Sequence, residues 1–307
     1  MKWYTEVNTG KSQHLISYNN KILFLGSCFA EEIGSRMRAN GFDVLVNPFG
    51  VLFNPASIAL SLNRLVVGLS LTDKDIVSEG SVYKSIYHSS ENASLEKDSL
   101  LEFLNDSLIR DSKFLEKSDT IALTFGTTWI YTRKSDGRVV SNCHKQPASS
   151  FVRSSLSVEE CVDAIAPLIE TMPGKRWFMS VSPVRHLKDG AVENMLSKAR
   201  LLLAIKELSD RYDNVVYFPS YEIVMDELRD YRFYSSDLLH LSDDAAEYIW
   251  ERFADFALEG KAVELLRDYK RLSDMKKHRA LYPNSPEYKE FVKRTEEFEE
   301  KLLKKRN

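Results

Sequence analysis

An α/β fold built on a parallel sheet is what this sequence predicts, on three observations. Short, unbroken apolar runs recur along the chain and are closed by Gly or Pro; segments with helical apolar spacing alternate with them; and the first run passes almost directly into such a helix. Strands buried on both faces read as continuous apolar runs. Their alternation with helices implies a parallel sheet covered on both sides, which receives ligands at the carboxyl ends of its strands.

The first strand is Lys21-Ile-Leu-Phe-Leu-Gly26, behind the polar turn Tyr18-Asn19-Asn20. Phe29 to Asn40 carries Phe29, Ile33 and Met37 at a period of four and stops at Asn40-Gly41, where Gly supplies a C-terminal cap. Ser27 therefore stands between strand and helix. Val44-Leu45-Val46 is a second short strand, broken by Asn47-Pro48-Phe49-Gly50, and Asn54-Pro55 opens a helix through about Val67 with Pro in its first turn. Leu71 to Ser118 is a mixed segment, read as a long insertion able to form a lid over the pocket, with His88 as a surface-loop histidine.

Thr120-Ile-Ala-Leu-Thr-Phe125 is another buried strand ending at Gly126, and Trp129 to Val140, with Ser135-Asp136-Gly137 in its middle, predicts a β-hairpin. Ser157 to Thr171 reads as a helix and Trp177 to Val181 as a strand broken by Pro183. Val192 to Ser209 reads as a long helix with Leu196, Leu203 and Leu208 among its apolar positions, and Val215 to Phe218 as the fifth strand. Ser27, Gly50, Gly126 and Pro183 all fall at the carboxyl ends of strands. From about Lys261 the composition turns rich in Lys, Arg and Glu. A helix is expected from Ser285-Pro286-Glu287 nearly to Asn307, with Tyr288, Phe291, Val292, Thr295 and Phe298 on a face that docks on the body or pairs with another subunit.

With 307 residues, 43% hydrophobic and 28% charged, the chain is an ordinary globular protein with enough length for a large core. No basic block with interleaved aromatics stands out, so nothing predicts nucleic-acid binding. Met1-Lys2-Trp3-Tyr4-Thr5-Glu6 lacks the apolar segment of a secretory signal, and no stretch approaches the length of a membrane span. A cytoplasmic protein with no membrane contact is the expectation. Cys28, Cys143 and Cys161 have neither the number nor the spacing of a disulfide framework or zinc cluster and read as reduced thiols.

Two islands carry the chemistry: Gly26-Ser27-Cys28-Phe29-Ala30 and, 210 residues on, Asp237-Leu238-Leu239-His240. A serine hydroxyl is a poor nucleophile until a base takes its proton, and that base needs a partner to fix its tautomer and steady the imidazolium. Asp-x-x-His fits one loop or a first helical turn, with the imidazole directed to Ser27 and the carboxylate holding the other ring nitrogen. Ser242-Asp243-Asp244 then begins a helix to about Phe256 that anchors this loop. Cys28 invites a thiol mechanism, but as the neighbour in the turn it is expected to lie under the helix.

The run Gly26 to Ala30 spells the motif of the GSCFA-domain family, and further blocks resemble it in order. They are Asn47-Pro-Phe-Gly50 with Asn54-Pro55, Phe125-Gly-Thr-Thr-Trp129, Asn142-Cys-His-Lys145, Ser182-Pro-Val-Arg-His186, and Tyr231-Arg-Phe-Tyr234 through His240. The likeness covers roughly Lys21 to Trp250. It implies a place among the SGNH (GDSL-like) hydrolases: a three-layer α/β/α, flavodoxin-like domain over residues 1–259 with a core at about 21–250, a parallel sheet of about five strands, a β-hairpin insertion, and a charged helical extension over 260–307. It assigns catalysis to Ser27, Asp237 and His240.

In the wider superfamily the oxyanion is held by the serine N–H, a glycine N–H after the second strand and an asparagine after the third. Gly50 matches the glycine. The third element departs, because Gly126 is followed by Thr127-Thr128-Trp129 without an Asn; Thr128 through its hydroxyl, or Asn54 from the neighbouring loop, would have to substitute. His144 and His186 lie in loops and either line the substrate pocket or serve as structural hydrogen-bonding groups. With His240 and Asp237 they are of the right type to bind zinc, but lack close sequence pairing, so no metal and no cofactor is expected. The function implied is hydrolysis of small acyl esters of a polyol or carbohydrate through an acyl-serine. The alternatives are an O-acyltransferase using the same residues or a catalytically weak binding module. Oligomeric state is open.

Overall fold

Five strands of mainly apolar sequence pair side by side, all parallel, and the segments between them fold over both faces of the sheet. The computed structural model describes residues 4–306; Met1, Lys2 and Trp3 of the N-terminal stretch read above, and Asn307 at the end of the last helix, lie outside the described residues.

The chain runs through β1 (Lys21–Gly26), α1 (Cys28–Ala39), β2 (Asp43–Val46) and α2 (Pro55–Val67). The segment left unresolved by sequence patterning then forms a small antiparallel sheet of β3 (Ile76–Glu79), β4 (Val82–Ser85) and β5 (Ala93–Ser94), followed by the long helix α3 (Lys97–Lys117). After β6 (Thr120–Phe125) the expected hairpin, β7 (Trp129–Arg133) with β8 (Val139–Val140), gains a third strand, β9 (Phe151–Ser155), on the other edge of β7. α4 (Val158–Thr171), β10 (Arg176–Val181), α5 (Gly190–Arg211), β11 (Val215–Tyr217) and the short α6 (Ser220–Glu222) follow. The chain closes with α7 (Asp243–Ala257), α8 (Gly260–Lys277) and α9 (Pro286–Arg306).

The main sheet has the order β11-β10-β6-β1-β2. That is a doubly wound order whose direction of growth reverses between β1 and β6, where the crevice for a ligand opens in such sheets. Alternate strand residues divide between two cores. Leu23, Leu25, Ile121, Leu123, Trp177 and Met179 pack under α2, α3, α4 and α5, while Ile22, Phe24, Ala122 and Phe178 pack under α1, α7 and α8. This is a mixed α/β arrangement compatible with three layers.

One sequence expectation changes in the folded chain, and two further elements gain detail. His88 is buried, its ring against Phe49 at 4.7 Å and its Nδ1 3.0 Å from Ser85 Oγ, because the insertion packs onto the Phe49-Gly50 turn instead of standing in solvent. Leu196 and Leu203 of α5 face solvent; the buried face is Asn194, Ser197, Lys198, Leu201, Ala204, Ile205 and Leu208. The tail holds two helices: α8 buries Ala262, Leu265, Tyr269 and Leu272 against the body, and α9 buries Leu302 in the same core.

Candidate active site

Gly26 ends β1 beside Thr124 of β6. Its φ of 142° and a Cβ that would stand 2.2 Å from the Thr124 carbonyl oxygen leave no residue but glycine there. Its N–H donates to Asn47 Oδ1 at 2.9 Å, so the Asn-Pro-Phe-Gly segment after β2 fixes the turn from the neighbouring strand. Ser27 is the residue before α1, with its carbonyl accepting the first helical bond from Ala30 N–H at 2.8 Å. An N-cap serine ordinarily turns its hydroxyl onto the helix N–H groups. Here it makes no such bond, and at 1% exposure Ser27 Oγ has no hydrogen-bond partner among the described residues. Other buried hydroxyls, Ser57, Ser61 and Ser89 among them, are also unpartnered among the described residues; what distinguishes Ser27 is its place in the turn between β1 and α1.

The Asp237–His240 pair is assembled. Tyr234 and Leu241 form a bridge at the base of a tight loop, Ser235 N–H donates to the His240 carbonyl at 2.8 Å, and Leu238 takes the left-handed conformation at φ 58°. Asp237 Oδ2 lies 2.6 Å from His240 Nδ1, while Oδ1 accepts from Ser235 Oγ at 2.8 Å and from the Leu239 and His240 N–H groups at 2.9 Å each. The His240 imidazole, followed by those N–H groups and Ser235, holds the Asp237 carboxyl far below the usual carboxylate range. Nδ1 of His240 is thereby the protonated nitrogen when the ring is neutral, and Nε2 is free to accept a proton.

Serine and histidine do not meet. Among the described residues the only hydrogen-bond partner of the His240 ring is Asp237, and its side chain is 54% exposed. Asp237 and Leu238 border an open groove of about 760 Å³ with Arg185, Leu187, Met225 and Tyr231, and Ser27 does not line it.

The backbone donors expected for an oxyanion are all engaged. Ser27 N–H donates to the Thr124 carbonyl at 3.1 Å, Gly50 N–H to Asn47 at 2.7 Å, and Gly126 and Thr127 N–H to Phe53 at 2.7 and 3.0 Å. Gly50, at φ 71°, is pressed against Ser89 of the insertion, where a Cβ would meet Ser89 Oγ at 2.0 Å. Thr128 directs its hydroxyl to Ser155 and Ser197 Oγ at 2.7 and 3.1 Å. Asn54 caps α2 through Oδ1, which accepts from Ser57 N–H at 2.8 Å.

His144 is buried, with Nε2 2.7 Å from the Ser85 carbonyl, and holds the insertion in place. His186 stacks on Phe53 at 6.3 Å between ring centroids, and its Nδ1 stands 3.5 Å from Asp189 Oδ2; burial, outweighing that carboxylate, lowers its pKa. Cys28 is partly buried at the start of α1, and burial pushes its thiol up, away from a reactive thiolate. Among the described residues no cluster of three or more His, Cys, Asp or Glu side chains gathers to hold a metal, and no helix is long and apolar enough to cross a membrane.

Sequence reasoning missed a polar row on α5. Asn194 Oδ1 accepts from His186 N–H at 2.9 Å, Ser197 Oγ from Thr128 N–H at 2.8 Å, and Lys198 Nζ donates to the Ser182 carbonyl at 2.6 Å. One helix thus ties the loops after β6 and β10. The signal was present: Asn194, Ser197 and Lys198 continue the spacing of Leu201, Ala204, Ile205 and Leu208, a polar turn on an otherwise apolar face.

No curated protein matches the chain. The model of the GSCFA family matches residues 21–253, which takes in the strand-to-helix serine, the Asn-Pro-Phe-Gly turn, the polar row of α5 and the Asp237–His240 loop, and the chain belongs to that family.

Proposed function

We propose that this protein is a serine-dependent ester hydrolase of the SGNH type, with a flavodoxin-like core and with Ser27 as nucleophile, His240 as general base and Asp237 as its orienting carboxylate. The observation that carries the reading is the finished Asp237–His240 pair, with its accepting nitrogen free, in a chain that also leaves the Ser27 hydroxyl buried and unpartnered at the carboxyl end of β1. In this reading the 234–241 loop closes on Ser27 when substrate enters. His240 Nε2 takes the hydroxyl proton as Oγ bonds to the acyl carbon. The tetrahedral intermediate collapses as the leaving alcohol takes that proton, and water, deprotonated by the same imidazole, then releases the acyl group. Small acyl esters of a polyol or carbohydrate are the proposed substrates, and a second alcohol in place of water gives the transferase variant.

The test is turnover of short-chain aryl and sugar esters by the parent and by Ser27→Ala. The expected outcome is turnover by the parent that falls at least about a thousandfold in the variant. Equal turnover by both rejects the assignment. A second reading, a binding module with feeble turnover, is favoured by the engaged backbone N–H groups at Ser27, Gly50 and Gly126. It predicts that the parent turns over no ester and that Ser27→Ala leaves ligand affinity intact.

A further inference from the structure

Arg185, in the block Ser182-Pro-Val-Arg-His186, has no part in the proposed chemistry. It stands in the loop that follows β10, at the end of the sheet where such folds receive ligands. That loop is held on both sides of it: the Ser182 carbonyl accepts from Lys198 Nζ at 2.6 Å, and His186 N–H donates to Asn194 Oδ1 at 2.9 Å. Where other arginines tie this chain together they hold carboxylates or backbone carbonyls, Arg138 on Asp75, Arg252 on Glu227 and Arg64 on the Leu69 carbonyl. Arg185 is half-buried with neither. Among the described residues its one hydrogen-bond partner is the Met225 thioether, 3.5 Å from Nη2. A thioether is a weak acceptor, whereas a guanidinium carries five N–H donors in a rigid fork.

The fork borders the groove beside the loop that carries the base. The same groove of about 760 Å³ that Asp237 lines is lined by Arg185 and, from the segment after α6, by Arg229, Tyr231 and Tyr234. Arg229 is exposed and likewise makes no ion pair among the described residues. The two carboxylates that border the groove are engaged, Asp237 by His240 and the loop N–H groups, and Asp230 by Arg232, whose N–H donates to it at 3.0 Å and whose guanidinium stands 3.8 Å away. Two guanidinium groups are thus left without an anion in one concave site. Tyr231, 75% exposed, and Tyr234, 6.2 Å from it between ring centroids, add aromatic faces against which a sugar or polyol can lie.

We propose that this groove is a subsite for an acidic group, a carboxylate or a phosphate, on the alcohol portion of the ester, with Arg185 as the residue that selects it and Arg229 as its second contact. The inference rests on the reading of the Asp237–His240 pair as catalytic, which makes the groove part of the site. The acyl groups of that reading are small, so a charge lying out in the groove belongs to the alcohol. A guanidinium fork binds either acid through paired N–H bonds, and a loop already fixed by α5 presents it with little left to order on binding. The substrate is thereby narrowed from any polyol or carbohydrate ester to an anionic one, an acylated sugar acid or sugar phosphate.

The test is calorimetric titration of the full chain with glucuronic acid, glucose 6-phosphate and glucose, for the parent, Arg185→Gln, Arg185→Lys and Arg229→Gln, with folding checked by circular dichroism. Beside it, kcat/KM is measured for the same proteins on acetyl esters of the same sugars. The parent is expected to bind at least one of the anions about tenfold or more tighter than glucose, and the anion preferred tells carboxylate from phosphate. Arg185→Gln is expected to weaken that binding by about ten- to a hundredfold and to lower the ratio of kcat/KM between anionic and neutral esters by a similar factor. Arg185→Lys, which keeps the charge but loses the fork, is expected to fall between the two. Should the Arg185 variants misfold, Arg229→Gln, at an exposed position, decides by the same loss. Anions bound no tighter than glucose by the parent, or an anion affinity that the folded variant leaves unchanged, overturns the inference, and turnover of the neutral ester then still supports the hydrolase. Anion binding that is lost in Arg185→Gln, with no ester turned over by the parent, upholds the subsite and overturns the hydrolase reading beneath it.

Discussion

Asp237 accepts from the His240 ring, from the Leu239 and His240 N–H groups and from Ser235, all within its own loop, so its contribution is to local order and to the tautomer of the imidazole. Asp237→Asn retains an oxygen for the N–H groups but offers Nδ1 of His240 an amide, which can leave the proton on the wrong nitrogen. We expect ester turnover to fall by about 10³ to 10⁴ with little change in melting temperature, read by kinetics beside thermal denaturation. His88 makes a pH prediction. Burial drops its imidazole from the ordinary histidine value to about 3, so in the fold it stays neutral while the unfolded chain takes up a proton. Stability is then full above the unfolded value and declines as pH falls from about 6.5 toward 3. An NMR titration should find the His88 ring flat across that range, and a midpoint near 6.5 would contradict its burial. At this scale the sequence displayed the Asp237–His240 contact and the strand-to-helix position of Ser27, because both involve recognisable residue types in recognisable turns. It did not display Lys198 or the burial of His88, since both depend on which loop covers which face.

Among the elements, β1 and the turn after it are the most constrained. Gly26→Ala places a methyl group inside the Thr124 carbonyl at a φ that L side chains rarely adopt. The expected cost is about 3 kcal/mol or more, measured by urea unfolding, and a loss below about 1 kcal/mol would mean that the β1–β6 pairing is looser than described. The strands of the main sheet were legible because burial leaves mainly apolar runs, α1 through its period of four, and α2, α4 and α7 through the residues that cap them, Asn54, Ser157 and Ser242. The two-residue strand β5 carries no period to read, and β9 alternates too briefly to stand out from a loop, whereas β8 was legible through the Ser135-Asp136-Gly137 turn of its hairpin. α5 was placed by its apolar positions, of which Leu208 is buried while Leu196 and Leu203 face solvent; the polar turn of Asn194, Ser197 and Lys198 on the buried face escapes an apolar count.

Across the whole molecule, two cores on opposite faces of one sheet hold the serine turn and the histidine loop to the same body, and the C-terminal helices extend one of those cores. Arg306 donates to the Gly41 carbonyl at 2.8 Å, and Lys305 pairs with Asp268 of α8 at 3.1 Å, so α9 docks on its own chain. Leu302→Ala is expected to cost about 2 to 5 kcal/mol in denaturant unfolding without changing the mass in solution. A changed mass with unchanged stability would assign that face to a second copy instead. The charged composition of the tail was plain in the sequence, but its docking was not, since a single amphipathic face suits either partner. The central claim, that a serine at one end of the chain and a histidine at the other form one reactive site, is tested most directly by treating parent, Ser27→Ala and His240→Ala with an organophosphonate and mapping the adduct by peptide mass. The account predicts one adduct, on Ser27, in the parent and none in either variant; an adduct on another residue, or labelling of Ser27 that His240→Ala leaves unchanged, would contradict it.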